Sequence, residues 1–401
     1  MPNLVESNKC CGCAACAEKC AKGAISMQPN EEGFLHPVIN HSVCIECGLC
    51  EKTCPGIQPA VNMEKSLTPR AYIIQHKDET IRYQSTSGGA FTAIAENIIR
   101  KGGVVFGAIM TEDLKVKHGY VDLKEELARF RNSKYVQSEI GDSYKLAKKF
   151  LTEGRFVCFS GTPCQINGLY KFLRRDYDNL IAVDVVCKSV PSPLVFEKYI
   201  EYKKQKEKRI SDIVFRDKKR GFLYCTMAHY GSHEARIVAR DQYRRGSESD
   251  EWLRLFLSGQ ISRRSCMTCP YQTKERVGDF TLGDIWETGN SSFDDNKGTT
   301  LVHVWTQKGQ DLLNSIRNEI KCIPYPFEKS RGAERNVVMK VKPNRESLFE
   351  DVNKLTPTEF FRKYAPYNAK VKVKNYLRFV LWKLDLQTLV RRLKHSIIHK
   401  K

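Results

Sequence analysis

The chain has 401 residues, 41% of them hydrophobic, and a formal net charge of +20 from 66 Lys and Arg against 46 Asp and Glu. That length gives room for two or three domains with packed cores. The lack of any 18-residue apolar run argues against a membrane-spanning helix. Met1 to Lys9 lacks the apolar core of a secretory signal, so the sixteen cysteines are read as thiols of a reducing, cytoplasmic compartment and not as disulfides.

Nine of those cysteines lie in the first 54 residues. Eight of the nine repeat one spacing: Cys10-x2-Cys13-x2-Cys16-x3-Cys20, then Cys44-x2-Cys47-x2-Cys50-x3-Cys54 before Pro55. This is the spacing of bacterial two-cluster ferredoxins, in which three thiolates of a run hold one [4Fe–4S] cluster and the fourth ligates the other. A short C-x2-C-x2-C loop wraps one corner of a cubane and cannot reach round it. Cys10, Cys13, Cys16 and Cys54 are therefore expected to hold one cluster, and Cys44, Cys47, Cys50 and Cys20 the second. A zinc site, with four ligands in two pairs, leaves four of these thiols unexplained. Cys11 has no place in the spacing, and Ala21 stands where the second run has its proline.

The two-cluster module is expected over residues 1–62, as an α+β ferredoxin-like fold, with Glu64 to Arg70 as a linker. Strands are predicted at 71–75, 104–109, 156–159 and 181–186, and helices at 89–101, 143–152 and 165–173. Strands alternating with helices imply an α/β sheet. After Arg209 the segments 213–216, 223–229 and 236–240 predict an antiparallel β extension. A further strand and helix are expected at 302–306 and 310–320. The α/β domain is thus placed at 71–345, and residues 346–401 read as a basic, amphipathic tail. From Lys370 to Lys401 ten Lys or Arg accompany one acid, Asp385, while Leu377, Val380, Leu384, Leu389 and Leu393 fall broadly along one helical stripe. Such a helix suits a membrane surface, or else packs on the core or on a partner subunit.

Several phrases of the second domain together resemble the coenzyme F420 hydrogenase/dehydrogenase beta-subunit family. They are Ser87-Gly88-Gly89-Ala90-Phe91-Thr92, Ser133-Lys134-Tyr135-Val136-Gln137-Ser138 and Ser160-Gly161-Thr162-Pro163-Cys164-Gln165, then Asp184-Val185-Val186-Cys187 leading to Pro191-Ser192-Pro193, Cys266-x2-Cys269, and Gly283-Asp284-Ile285-Trp286. The likeness runs from about Met1 to Ile320. It implies an α/β flavoprotein domain in an iron–sulfur oxidoreductase that passes electrons between clusters, a bound FAD and a hydride-exchanging partner. In archaeal members that partner is the deazaflavin coenzyme F420. Plant and cyanobacterial relatives reduce chlorophyll-pathway compounds instead, so membership does not fix the substrate.

The residues themselves bear on parts of this. Ser87, Gly88 and Gly89 open a periodic helix, where backbone N–H groups and the helix dipole suit an FAD pyrophosphate; a plain turn is the alternative. Thr162 follows the strand at 156–159, at the strand end where α/β sheets place ligands. Ser133, Lys134, Tyr135 and Gln137 precede the helix at Ser143, and alternation sets Lys134 and Val136 opposite Tyr135 and Gln137. Lys134, the one candidate catalytic residue, either stabilises negative charge on a reduced flavin or is a solvated loop lysine. Cys164 and Cys187 end adjacent strands and, with Cys266 and Cys269, are expected to hold a third [4Fe–4S] cluster. Zinc on the same ligands, or Cys164 and Cys187 as buried apolar residues, are the alternatives. Cys158, Cys225 and Cys322 have no partner spacing and read as structural, while Asp279 and Asp284 either bind a ribose or orient a loop.

The function expected is electron transfer from a ferredoxin-like or other redox donor through the clusters to FAD and on to a small-molecule acceptor. The alternative is a subunit that only relays electrons to a separate catalytic partner. No Ser-His-Asp or Glu-x-x-His set points to hydrolysis. No nucleic-acid motif accompanies the basic charge, so no nucleic-acid partner is expected. The expected location is the cytoplasm, with peripheral contact at a membrane surface if the tail binds lipid.

Overall fold

The computed structural model describes residues 2–57, 68–205, 210–231, 250–272, 276–330, 341–387 and 389–390. Near the start, β1 (Ile25–Pro29) pairs antiparallel with β2 (Leu35–Ile39), Ile25 opposite Ile39. Each cysteine run closes on a five-residue helix, Ala15–Lys19 in the first and Leu49–Thr53 in the second. Ala14 and Gly48, equivalent in the repeat, both turn left-handed just before these helices, at φ 60° and 67°.

The second part is built on β3 (Arg70–His76), β4 (Val104–Met110), β5 (Val116–Val121), β6 (Val157–Gly161) and β7 (Leu180–Val185). A separate antiparallel ribbon follows, β8 (Asp212–Asp217) with β9 (Thr226–Tyr230), and then β10 (Phe280–Ile285), β11 (Thr299–Val304) and β12 (Ile320–Tyr325). Eight strands form one sheet in the order β12-β3-β11-β10-β7-β6-β4-β5. Its centre, β4, β6, β7 and β10, is parallel, and both flanks are antiparallel. The sheet is therefore mixed, a coarser α/β than strict alternation implies.

Central strands buried on both faces read as continuous apolar runs. Along β6, Cys158 points into the core under helix Ala90–Arg100, while Val157 and Phe159 point into the core under helices Ser143–Thr152 and Pro163–Leu173. The β extension is present as β8 and β9. Residues 236–240 lie outside the described residues, as do the expected module end near Asn62 and most of the linker.

A third core joins helices Pro193–Lys204 and Glu251–Ser258 to the ribbon, through Phe196, Tyr199, Phe215 and Trp252. Helices Arg345–Lys354 and Pro357–Tyr364 bury Leu348, Phe349, Val352, Phe360 and Phe361 in it, so the segment from 346 begins inside the core. Beyond it, helix Ala369–Lys383 rests Trp382 on Tyr224, ring centroids 5.9 Å apart. That helix leaves Val373, Tyr376 and Leu377 exposed, with Leu384 just after it. Among the described residues no helix is long and apolar enough to cross a membrane.

The cysteine-rich module is seated on this body. Phe34 inserts into the third core, and the Arg345 guanidinium donates to both oxygens of Glu32 at 2.8 and 2.5 Å. Ser192 Oγ donates to the Glu32 carbonyl at 2.6 Å, and Lys19 Nζ to the Phe172 carbonyl at 2.8 Å. Glu18 accepts from the Lys145 N–H at 2.9 Å, at the start of helix Ser143–Thr152.

Candidate redox centres and cofactor cleft

Cys10, Cys13, Cys16 and Cys54 surround one small cavity, floored by Met27, Pro37 and Pro55. Burial, then the neighbouring Cys10 and Cys54, push the Cys16 thiol up to about 12. Burial, with Cys10 nearby, also raises Cys54. Crowded, buried thiols are poor as free acids but suited to a positively charged iron–sulfur group, which takes them as thiolates. The backbone N–H of Gly12 donates to Cys10 Sγ at 3.4 Å and that of Ala24 to Cys20 Sγ at 3.3 Å, bonds of the kind that tune such groups.

In the second set, Cys50 is buried against Cys16 and Ile25, with Cys20 and Ile39 packed alongside. Cys47 is exposed, and Cys44 is half-buried at a turn where its N–H donates to the Asn40 carbonyl at 3.2 Å. The two sets thus meet at Cys16 and Cys50, and the second opens to solvent at Cys47.

The third set also assembles. Cys164 lies in the first turn of helix Pro163–Leu173, Cys187 follows β7, and Cys266 lies in the single turn Arg264–Thr268 that Cys269 ends. Burial, then Cys266, Cys164 and Cys269, raise the Cys187 thiol well above its ordinary value. Burial pushes Cys266 up to about 12, with Cys164 and Cys269 adding to it. Among the described residues, no three Cys, His, Asp or Glu side chains stand at the spacing for a single metal ion. Cys11, the thiol outside the repeat, lies between the first and third sets, near enough to Cys13 and Cys164 for its thiol to be influenced by both.

Next to the third set lies a cleft of about 320 Å³, within the size range of small-molecule sites. It sits at the C-terminal ends of β6, β7 and β10, as the strand order of an open sheet predicts. Ser87, Gly89, Ser133, Lys134, Tyr135 and Thr162 all line it, together with Cys187 and Asp284. Thr162 Oγ1 lies 3.1 Å from Cys164 Sγ, so one residue touches both cleft and thiol set. Gly88 stands behind the lining: a Cβ there would meet the Ile74 carbonyl oxygen at 2.2 Å. Gly89, left-handed at φ 86°, caps helix Ala90–Arg100 and turns its first residues toward the cleft. Buried Lys218 holds this turn by donating to the Ser87 and Arg82 carbonyls at 2.8 and 2.7 Å.

The segment at 133–137 is a loop, so Lys134, Tyr135 and Val136 all face the cleft instead of alternating. Gln137 does not line it; its amide donates to the Cys11 carbonyl at 3.0 Å. The Lys134 ammonium donates to the Arg129 and Arg131 carbonyls at 2.7 and 3.0 Å, and burial lowers it to about 7. Tyr135 stacks on Phe256, ring centroids 4.7 Å apart, and burial raises its phenol to about 12. Asp284 pairs with Arg216 at the rim. Asp279 is fully buried and accepts from the Ala182 N–H and the Thr306 hydroxyl, both at 2.7 Å, which makes it a strand lock.

His118 lines the same cleft and carried no sequence signal. One ring nitrogen lies 3.0 Å from the Ser160 carbonyl and the other 3.0 Å from Ser138 Oγ, and burial lowers its pKa to about 4. Cys158 is wholly buried and Cys225 nearly so, while Cys322 is half-buried at the sheet edge.

Comparisons with known proteins match two stretches of the chain. Residues 9–56 match the 4Fe-4S dicluster domain, and residues 154–326 match the C-terminal region of the coenzyme F420 hydrogenase/dehydrogenase beta subunit. One subunit of the F(420)H(2) dehydrogenase of Methanosarcina mazei is 20% identical over 359 residues, covering 86% of this chain and 93% of that protein. An uncharacterized protein of Methanocaldococcus jannaschii is 27% identical over 203 residues, 44% of this chain and 56% of that protein, so the chain spans little more than half its length. A chain of the F420-reducing [NiFe] hydrogenase complex of Methanosarcina barkeri superposes with a TM-score of 0.44 at 15% identity, over 76% of this chain and 94% of that one. The chain therefore matches the coenzyme F420 hydrogenase/dehydrogenase beta-subunit family over residues 154–326, behind a 4Fe-4S dicluster domain at residues 9–56.

Proposed function

We propose that the chain is an iron–sulfur, flavin-dependent oxidoreductase. It exchanges electrons between a redox protein docking near Cys47 and a small hydride-exchanging molecule at the cleft. The observation that carries this is contiguity: the second set meets the first at Cys16 and Cys50, Cys11 joins the first to the third, and Cys187 and Thr162 open the third onto the cleft. The similarity to part of an F(420)H(2) dehydrogenase supports a deazaflavin as the hydride carrier.

The three thiol sets fit [4Fe–4S] clusters by donor type and crowding, and the cleft fits FAD by its position and by the helix start at Gly89. Bound there, a flavin supplies the exchange between single electrons and hydride. Ser87 and Gly89, which line the cleft, bring the start of the helix to a phosphate, whereas the Gly88 N–H is spent on Thr300 Oγ1 at 2.9 Å. Lys134 fixes the loop that carries Ser133 and Tyr135, and its lowered pKa lets it hold or release a proton near neutrality. Tyr135 and Phe256 form an apolar wall that keeps water from the reacting face.

Anaerobically purified protein is expected to contain about twelve iron and twelve sulfide per chain, from three cubanes, with one flavin. Cys269→Ser is expected to remove about four of each and spare the N-terminal sets. Wild-type protein with about eight iron and one zinc would return the third set to the zinc reading. A reduced, flavin-replete protein that no small acceptor reoxidises without a partner would favour the relay role instead.

The exposed Val373, Leu377 and Leu384, near Lys370, Lys374 and Lys383, support a second proposal: peripheral contact with an anionic membrane surface through this helix.

A further inference from the structure

Arg263 is the feature that neither the sequence motifs nor the cofactor fit absorbs. It is 1% exposed and lies three residues before Cys266. Its Nε donates to the Cys10 carbonyl at 2.7 Å and Nη1 to Gln137 Oε1 at 2.9 Å. Nη2 donates to the Leu35 carbonyl at 2.9 Å and lies 3.0 Å from a His36 ring nitrogen. Gln137 continues the chain by donating to the Cys11 carbonyl at 3.0 Å. Gly12 stands bare beneath the guanidinium: a Cβ there would lie 2.7 Å from Nη1. The guanidinium therefore rests on the backbone of the first cysteine run while its own chain leads into the third set. Its charge also reaches the Cys164 and Cys266 thiols, on which it acts to favour the thiolate.

The anomaly is charge. Among the described residues Arg263 forms no ion pair, and every partner named above is neutral. His36 is held neutral as well, because burial and then Arg263 itself lower it to about 4. A buried guanidinium with only neutral partners is costly, and such charges persist where an anion compensates them. The anions placed to do so are the first and third thiol sets once they carry clusters.

We propose that Arg263 is the potential-setting residue between these two sets, a single fixed positive charge that favours the reduced state of both and so keeps them matched for electron exchange. Moving one electron between the sets breaks no bond and moves no proton; only the charge on either side of the guanidinium changes. Gln137 is its positioning partner, holding Nη1 with one end and Cys11 with the other. The inference rests on the proposed clusters and adds a role that ligation alone does not demand.

The test is an EPR-monitored redox titration of reconstituted full-length protein, with the third signal identified by its loss in Cys269→Ser. In Arg263→Gln the first and third signals are expected to become at least tenfold harder to reduce at a fixed potential, about 59 mV downward for one electron. The second set, Cys44, Cys47, Cys50 and Cys20, keeps its potential. Arg263→Lys, which retains the charge, keeps most of the wild-type values. If Arg263→Gln does not load iron, Gln137→Glu decides: a carboxylate beside the guanidinium neutralises it and lowers the same two potentials. Iron-replete variants in which those two do not move, or in which all three move together, overturn the inference. Wild-type protein without cluster iron overturns the cofactor reading, and this inference with it.

Discussion

Gly88 packs where no other residue fits, with Ile74 O and Thr300 N at 2.2 and 2.6 Å from a Cβ position. Overpacking of this kind costs about 1–3 kcal/mol, and here it shifts the turn that carries Ser87 and Gly89. Gly88→Ala is therefore expected to lower flavin per chain, read as fluorescence after acid release, while iron content stays unchanged. His118 makes a pH prediction. Its folded pKa of about 4 lies below the ordinary value of about 6.5. The stability of the neutral, buried ring is thus complete above about pH 6.5 and is lost as pH falls toward 4, by at most about 3 kcal/mol. Urea midpoints at pH 7 and pH 5 should fall less for His118→Gln than for the wild type; an equal fall would clear His118 of this role. The cluster cysteines were legible because their spacing is local and repeated. His118 and Arg263 were not, because their significance lies in partners such as Ser160 and Cys10, 42 and 253 positions away. Gln137 shares the resembling phrase with Ser133, Lys134 and Tyr135, but the alternation that sets it opposite Lys134 holds only in strands, and the segment is a loop.

Among the elements, β10 escaped the sequence reading because Gly283 and Asp284 look like loop residues, yet it is buried between β7 and β11, which pair with it on both sides. β5 interrupts its apolar residues with Gly119 and Lys117 and forms only as an edge partner of β4. Helices 90–100, 143–152 and 163–173 were legible because their apolar residues recur at the helical period. The loop between β1 and β2 is fixed to helix Arg345–Lys354 by Glu32 and Arg345, which are 8% and 1% exposed. Breaking a buried pair by removing one member costs about 3–5 kcal/mol, and Arg264, 3.2 Å from Glu32, recovers part of it. Arg345→Ala is expected to lose about 3 kcal/mol and to make the cysteine-rich module the first segment cut in limited proteolysis. Uniform proteolysis of the variant would argue that Phe34 and the contacts of Lys19, Glu18 and Ser192 hold the module in place without Arg345.

At the scale of the molecule, the thiol sets and the cleft form one path from surface to interior, and the helix after residue 368 lies apart from it. Weak, salt-sensitive binding to anionic vesicles is expected of the full chain, since each Lys or Arg at such a surface contributes roughly 1 kcal/mol. Removing residues 370–401 should abolish the binding and leave iron and flavin in place. Full-length protein that ignores such vesicles at low salt would assign the helix to an internal or partner contact. The path is also graded in exposure, from Cys47 at the surface to Cys10, Cys13 and Cys16 inside. Dioxygen and peroxide meet the outer end first, so air damage should run in a fixed order. If the thiol sets carry the proposed clusters, the Cys47 set would bleach before the buried set of Cys10, Cys13 and Cys16, and the outer end of the path would fail while its interior was still intact.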